Sequence, residues 1–373
     1  MRTFFSNGQT EDPTRVGAGA LAANQDHGQG DGRNIDLTLA GLMGEAAQQR
    51  HVTARAHPNQ TQQPVWEETP TADQRRTPGP TYYDRPVVKE PVWIWTVPLY
   101  FFVGGAAGAA AVLGAAAQWF GGAQLRGLVT RCRWLAAIGA NLGAVLLIAD
   151  LGRPGRFLHM LRVFRPTSPM SMGSWLLASS GGAMTLSALL DRRRGWLRWV
   201  GDGVGAVNSL LGIGLAGYTG VLLANSVVPL WVAARRSLPV LFVTSGIASA
   251  AALLDFTRLN PREANVVRAF GLVGRVAELL AATAVEREAK GIERVGRPLQ
   301  EGRSGAMWKM SKYLGILGLL VALLPGNSRS KRSVAALATA VSSLLLRYGL
   351  MAAGKASARD PQATFQQQRS ATQ

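Results

Sequence analysis

Residues 91–125 have the sequence PVWIWTVPLYFFVGGAAGAAAVLGAAAQWFGGAQL, a run of 35 residues without a charged side chain. A helix of about twenty apolar residues crosses the hydrocarbon core of a bilayer. Because backbone polar groups in lipid must be bonded within the protein, a run of this length is expected to form a transmembrane helix. The stretch therefore predicts an integral membrane protein.

Charge-free runs recur along the chain and predict further helices. The first five spans are expected at 92–119, 131–150, 169–190, 203–229 and 237–256. Three less apolar segments that carry charged side chains are also included as spans: 264–285, 307–325 and 334–351. Arg347 is expected near the end of the last one. The predicted fold class is an all-α integral membrane protein with about eight transmembrane helices. Glycines inside the spans let helix backbones approach closely, which indicates a packed bundle.

The charge of the chain is concentrated in its apolar part. The net charge is +18, from 40 basic and 22 acidic residues, whereas residues 1–90 alone carry a net −2. The basic residues of the remainder fall between the apolar runs, where they mark loops beside anionic lipid headgroups. Nucleic-acid binding is therefore not expected.

Cysteine and histidine are too scarce for a metal or haem site. The single cysteine, Cys132, cannot form an internal disulfide, a zinc site or an iron–sulfur cluster, since each needs several thiolates. Only one of the four histidines, His159, lies among the apolar segments, which excludes a bis-histidine haem. We therefore expect this chain to bind no haem, no iron–sulfur cluster and no metal.

Three regions follow from this patterning. Residues 1–90 are polar and expected to be mostly disordered, without the apolar core of a signal peptide; 91–352 form the transmembrane domain, and 353–373 a polar C-terminal tail. With eight spans both tails lie on one face, which carries 20 basic residues near the membrane against 13 on the other. The positive-inside rule then favours cytoplasmic tails.

The segment between the second and third predicted spans carries unusual polar groups. It includes Asp150, Arg153, Arg156 and His159, followed by Ser171 at the start of the next span. Polar groups held at this depth are costly, so the segment is either a docking or ligand surface or a topological anchor at the headgroups.

A second polar stretch, residues 217–231, lies late in the fourth predicted span. It contains Tyr218, Thr219 and Asn225, and the span ends on the same face as the start of the first, which carries Tyr100 and two tryptophans, Trp93 and Trp95. These rings and donors form either an interfacial aromatic belt or a pocket for a flat ring with carbonyl oxygens.

Four segments together resemble the NrfD/PsrC family of membrane subunits. They are YYDRPVVKEPVWIWTVPLYFFVGGAAG (82–108), DLGRPGRFLHML (150–161), RPTSPMSMGSW (165–175) and YTGVLLANSVVPLW (218–231). The resemblance extends over about residues 82–351, with the motifs in the same order and spacing, and leaves the N-terminal tail unexplained.

The resemblance implies two four-helix bundles in the bacterial cytoplasmic membrane and a subunit that exchanges electrons with menaquinone or another quinone. It implies a ferredoxin-like iron–sulfur subunit and a molybdopterin (or tungstopterin) catalytic subunit as partners, so the chain alone would catalyse nothing. Tyr218 is the first choice for a quinone contact, with Thr219 and Tyr100. The implied docking loop contains Asp150, Arg153, Arg156, His159 and Ser171. Known relatives place these loops on the outer face, whereas the charge count places them inside.

Two acids could carry protons to a quinone. Asp255 lies at the end of the fifth span, and Glu278 lies inside the sixth, three residues after Arg275 and on the same helical face. The alternatives for Glu278 are a simple ion pair with Arg275 and a place on a proton path. A secondary transporter, or a structural anchor without a quinone site, are the alternative functions for the whole chain.

Overall fold

The computed structural model describes residues 35–36, 41–42, 88–325 and 328–371. The chain divides into two units, Met1–Gly79 and Pro80–Gln373. In the first unit, strands β1 (Ile35–Asp36) and β2 (Gly41–Leu42) pair antiparallel, with Ile35 opposite Leu42. Apart from these strands and residues 88–90, the predicted disordered tail lies outside the described residues.

The second unit is helical throughout its described part. Eight of its helices have 19 or more residues: α1 (Thr96–Phe120), α2 (Arg126–Asp150), α4 (Pro169–Leu190), α5 (Trp196–Ala224), α7 (Ser237–Asp255), α8 (Pro261–Lys290), α10 (Gly302–Leu323) and α11 (Arg329–Arg359). Four short helices connect or follow them: α3 (Arg156–Met160), α6 (Pro229–Ala233), α9 (Glu293–Gly296) and α12 (Pro361–Ala371).

Six of the long helices are long and apolar enough to cross a membrane. They are α1, α2, α5, α7, α10 and α11. The all-α integral membrane fold predicted from the sequence is thereby confirmed, while the number of spans shown is six. Helix α4, which is rich in serine and glycine, and α8, which carries Arg268, Arg275 and Glu278, are not among these six.

The long helices form two rings of four. In the first bundle, α1 and α4 each pack against both α2 and α5. In the second bundle, α7 packs against α8 and α11, and α10 packs against the same two helices. Helices α1 and α5 contact α7, and α1 also contacts α11, so α1 is central to the join between the bundles. The arrangement agrees with the two four-helix bundles expected from the resemblance.

Several helices extend beyond the predicted spans. Helix α8 begins at Pro261 because Asn260 and Glu263 form a reciprocal capping box, with the Glu263 amide 2.8 Å from Asn260 Oδ1. Helix α11 continues to Arg359, past the predicted end at 351. Helix α5 instead ends early, at Ala224, and a new helix begins at Pro229. A run of uncharged residues predicts the apolar part of a helix. It does not include the capped and charged turns by which the helix extends at its ends.

The crossing of α1 and α5 depends on glycine. A Cβ added to Gly108 would overlap the carbonyl oxygen of Gly212 and lie 2.9 Å from the amide nitrogen of Ala216. The two backbones therefore touch directly, as small residues permit in membrane helices.

Substituting Gly108 by alanine is expected to destabilise the protein by about 1–3 kcal/mol, because overpacking outweighs alanine's better helix propensity. Gly182→Ala in α4 is the matched control, since its Cβ would meet nothing within 4 Å. Denaturant unfolding in detergent compares the two variants. Equal stabilities would contradict the close crossing.

Candidate functional site

The ends of the helices define two faces of the molecule. We call face A the end at which α1, α4, α7 and α10 begin and α2, α5, α8 and α11 end, and face B the opposite end. Contacts across face A support this alternation: Tyr348 of α11 donates to the Trp95 carbonyl at 2.8 Å, and Arg359 Nε lies 2.8 Å from Glu90 Oε2. The Arg359 guanidinium bonded to Glu90 lowers the pKa of that carboxyl below its usual value.

Two tyrosines meet just inside face A. The hydroxyl oxygens of Tyr100 on α1 and Tyr218 on α5 lie 2.7 Å apart. Tyr100 is 1% exposed and Tyr218 is partly buried against the same core. Helical rise places the pair about 6–9 Å inside the helix ends. Two hydroxyls that share one hydrogen bond use one hydrogen between them, so the pair retains one O–H to donate elsewhere.

Glycines from three helices surround the tyrosine pair. A Cβ on Gly143 of α2 would lie 3.0 Å from the Tyr100 ring, and one on Gly104 of α1 would lie 3.4 Å from it. A Cβ on Gly173 of α4 would overlap the Tyr218 ring and lie 2.8 Å from its hydroxyl oxygen. The absence of side chains at these positions lets the two phenols lie where they do.

The other polar groups predicted beside Tyr218 differ in their roles. Thr219 is 2% exposed, and its hydroxyl has no hydrogen-bond partner among the described residues. The Asn225 amide donates to the Val221 carbonyl at 2.8 Å and is thus used at the end of its own helix. Thr219 therefore offers an unused buried hydroxyl, whereas the Asn225 amide is already bonded within α5.

Tryptophans near face A divide between core and surface. Trp231 is fully buried, donates to the Leu350 carbonyl at 3.2 Å and stacks on Trp93 with ring centroids 5.9 Å apart. Trp95 is 61% exposed. Trp231 and Trp93 join the start of α1 to the second bundle, and Trp95 fits an interfacial belt.

The loop between α2 and α4 is fixed at both ends beside the tyrosine pair. Asp150 Oδ1 accepts from the Ile94 amide at 3.1 Å, six residues before Tyr100. At the other end, Ser171 Oγ accepts from the Arg165 amide and donates to the Val163 carbonyl, both at 3.1 Å. Asp150 and Ser171 thus shape the loop. We call residues 151–168 the arginine loop.

The basic residues of the arginine loop face outward. Arg153, Arg156 and His159 are exposed, and none has an ion pair within the described ranges. The structure thus separates the five predicted docking residues into two that hold the loop and three that remain available for a partner.

A buried polar cluster lies in the middle of the second bundle. Ser343 Oγ donates to Glu278 Oε1 at 2.9 Å, and Arg347 Nη1 donates to Ser245 Oγ at 2.5 Å. Glu278 is 4% exposed and Arg347 1% exposed, with the guanidinium 5.0 Å from the centre of the Phe242 ring. We call Glu278, Ser245, Ser343 and Arg347 the central cluster.

Two expectations about this region are wrong. Arg347 does not lie near a helix end, because 18 residues of α11 precede it and 12 follow it. Arg275 does not pair with Glu278 within 4.0 Å: its Nη1 donates to the Gly318 carbonyl at 3.2 Å, and Glu278 accepts from Ser343 instead. The carbonyl of Gly318 on α10 is accessible to the Arg275 guanidinium. The spacing of residues along α8 alone could not predict this contact with another helix.

Asp255 lies at face B, at the end of α7. Its Oδ1 is 3.5 Å from Arg332 Nε, and it lines a cavity of about 30 Å³ together with Arg268 and Arg275. A site of this size holds a water molecule when polar groups line it. Asp255 and Arg275 share this cavity, and Arg275 lies three residues before Glu278 of the central cluster on α8.

Helix α1 separates the central cluster from the tyrosine pair. A Cβ on Gly105 would lie 2.9 Å from Arg347 Nη2, and Gly105 follows Tyr100 by five residues, or about 7–8 Å of helix. Sequence reasoning missed Arg347, although an arginine within an apolar run was a usable signal. It also missed Gly173 and the two serines, whose roles depend on neighbouring helices.

Comparison with known proteins relates this geometry to a family. Residues 86–358 match the family described as polysulphide reductase, NrfD. The chain is 28% identical to Protein NrfD of Escherichia coli (strain K12) over 305 residues, which cover 71% of this chain and 95% of that relative. The tyrosine pair, the arginine loop and the central cluster all lie within the matched range.

Proposed function

The chain belongs to the polysulphide reductase NrfD family, and from that premise we propose that it is the quinone-exchanging membrane subunit of an oxidoreductase complex. The observation that carries the proposal is the pair of hydrogen-bonded phenols, buried Tyr100 and partly buried Tyr218, just inside face A and beside the fixed ends of the arginine loop. A hydrogen-bond donor held in an apolar site at this depth suits a lipid-soluble ring with carbonyl oxygens.

The residues around the phenols fit a quinone. The pair offers one O–H, Thr219 offers an unpartnered buried hydroxyl, and Gly173 lets the Tyr218 ring lie directly against α4. Menaquinone or another quinone, when bound, supplies the transfer of two electrons and two protons. Tyr218 would orient the ring and hold a proton at its phenol oxygen, and Tyr100 would fix the direction of that O–H.

The arginine loop suits an acidic protein partner. Its exposed Arg153, Arg156 and His159 lie between the two anchors next to the tyrosine pair. Complementary charge steers and orients a docking protein. We propose a ferredoxin-like iron–sulfur subunit here, relaying electrons to a molybdopterin (or tungstopterin) catalytic subunit. Since the chain contains a single cysteine, such clusters would belong to the partner.

Protons for this exchange are proposed to pass through the second bundle. Asp255 and its cavity open the route at face B, and Glu278 lies beside Ser343 in the central cluster. Ionisable groups buried at such a depth commonly serve proton relays. Glu278 is therefore proposed as the group that exchanges protons between the face B cavity and the first bundle.

We also propose that α4 and α8 cross the bilayer, which gives eight spans. Each packs along two candidate spans of its own bundle, and the 22 residues of α4 reach about 33 Å. The excess of basic residues then favours face A in the cytoplasm of a bacterial inner membrane. Cysteine-accessibility labelling of the exposed loops on each face tests this orientation.

The test of the proposal is a mild-detergent pull-down of the tagged full chain from native membranes. Protein identification is combined with analysis of iron, molybdenum or tungsten, and quinone. Recovery of an iron–sulfur protein, a pterin-containing subunit and a quinone supports the proposal. Recovery of the chain alone, without iron or quinone, overturns it, and solute uptake into proteoliposomes then tests a transporter.

The double variant Arg153→Gln/Arg156→Gln is expected to weaken partner binding by about 10-fold, since each exposed ion pair contributes up to about 1 kcal/mol. Arg192→Gln/Arg193→Gln is the matched control, with the same charge change at exposed positions on face B. Partner recovery is measured at increasing salt. Equal losses in both variants would show that the arginine loop is not the docking surface.

A further inference from the structure

A separate cavity opens on face A in the second bundle. It has a volume of about 440 Å³ and lies between the end of α8 and the beginning of α10. The charged side chains on its wall are Glu286, Lys290, Lys309 and Lys312, and Tyr313 and Ile316 are among its apolar contacts. The cavity lies outside both the tyrosine pair and the arginine loop.

The charge of this cavity is positive and partly uncompensated. Glu286 Oε1 lies 2.8 Å from Lys312 Nζ and also accepts from Trp308 Nε1 at 2.6 Å, so the one carboxylate on the wall is already satisfied. Lys290 and Lys309 are exposed, and neither forms an ion pair with any residue that the structure describes. Two ammonium groups therefore remain to bind an anion at this opening.

An apolar stripe continues from the cavity along α10. Tyr313 is 70% exposed, Ile316 41%, Leu317 48% and Leu320 57%. These positions recur every three or four residues and so share one face of the helix. Since α10 is long and apolar enough to span the membrane, this outward stripe is suited to contact with lipid chains.

We propose that this cavity binds the headgroup phosphate of an anionic phospholipid, with Lys290 and Lys309 on the phosphate and the acyl chains along the α10 stripe. Basic pockets between membrane helices recognise anionic headgroups in this manner. A free phosphate would use the lysines but leave the stripe without a role. Because the two lysines and the apolar stripe form one continuous surface, a phospholipid fits this cavity better than a free phosphate.

The full chain, reconstituted in nanodiscs of phosphatidylcholine with a minor fraction of phosphatidylglycerol, provides the test. Phosphatidylglycerol retained after detergent extraction is quantified by native mass spectrometry. Lys290→Gln/Lys309→Gln is expected to weaken retention by about 30-fold, since each lysine near the surface contributes about 5-fold. The control Arg235→Gln/Arg236→Gln makes the same charge change at exposed positions of face A outside the cavity.

The outcomes separate the possible ligands. Loss of phosphatidylglycerol in the lysine variant alone, with retention in Lys290→Arg/Lys309→Arg, supports the lipid site. Equal retention in the wild type and the lysine variant, or equal loss in the control, overturns it. Displacement of phosphatidylglycerol by millimolar inorganic phosphate overturns the lipid assignment in favour of a soluble anion. The arginine variant also guards against misfolding, because it keeps the charge while changing the side chain.

Discussion

Replacing Tyr218 by phenylalanine is expected to lower quinol-dependent electron transfer by about 100-fold, the lower end of what a positioned proton donor contributes. The ring would still pack against Gly173, so the packing beside α4 is kept. What is lost is the hydroxyl bonded to Tyr100 at 2.7 Å. The effect should therefore appear in turnover, while assembly with partner subunits remains intact.

The measurement is quinol oxidation, or quinone reduction, by the purified complex, followed spectrophotometrically over a range of pH. Tyr348→Phe is the matched control, because it removes a phenol hydroxyl that donates to the Trp95 carbonyl and does not belong to the tyrosine pair. A fall in kcat with a shifted pH profile in Tyr218→Phe alone identifies the phenol as a reacting group. Full activity in this variant would remove Tyr218 from the proposed quinone site.

Much of the fold could be predicted because lipid imposes a simple pattern. Residues 91–125 carry no charge, and the helix observed there, Thr96–Phe120, overlaps the predicted span 92–119 over nearly its whole length. Ends were harder to predict, since they depend on caps such as Asn260 with Glu263, and on proline and asparagine positions that end α5 at Ala224. The arrangement in two four-helix bundles was predicted only from the family resemblance, because the sequence pattern of one helix does not show which other helices pack against it.

The candidate site was only partly predictable for the same reason. Alternating spans place Tyr100 and Tyr218 near one face, and the structure brings their hydroxyls together. That Gly173 would flank Tyr218 depends on how α4 packs against α5, which the sequence does not encode locally. Arg347 was assigned to a helix end because charges in lipid are costly, yet the serines of α7 and α11 make its burial possible.

The second large effect concerns Arg347. Arg347→Gln is expected to destabilise the protein by about 3–5 kcal/mol, because it removes one of the two arginine charges, Arg347 and Arg275, that act on the buried Glu278. It also removes the bond to Ser245 Oγ and the contact with the Phe242 ring. Arg192→Gln, an exposed arginine on face B, is the control and should change stability by less than about 0.5 kcal/mol. Denaturant unfolding in detergent measures both.

Glu278→Gln separates the structural role of the central cluster from proton transfer. The amide can still accept from Ser343 but cannot exchange a proton, so quinol turnover should fall while the complex assembles normally. Adding Glu278→Gln to Arg347→Gln should recover part of the lost stability, with a coupling of about 1–3 kcal/mol. Unchanged turnover in Glu278→Gln would end the proton-path proposal. Zero coupling would show that the two charges do not act on each other, and the central cluster would then be a set of separate hydrogen bonds.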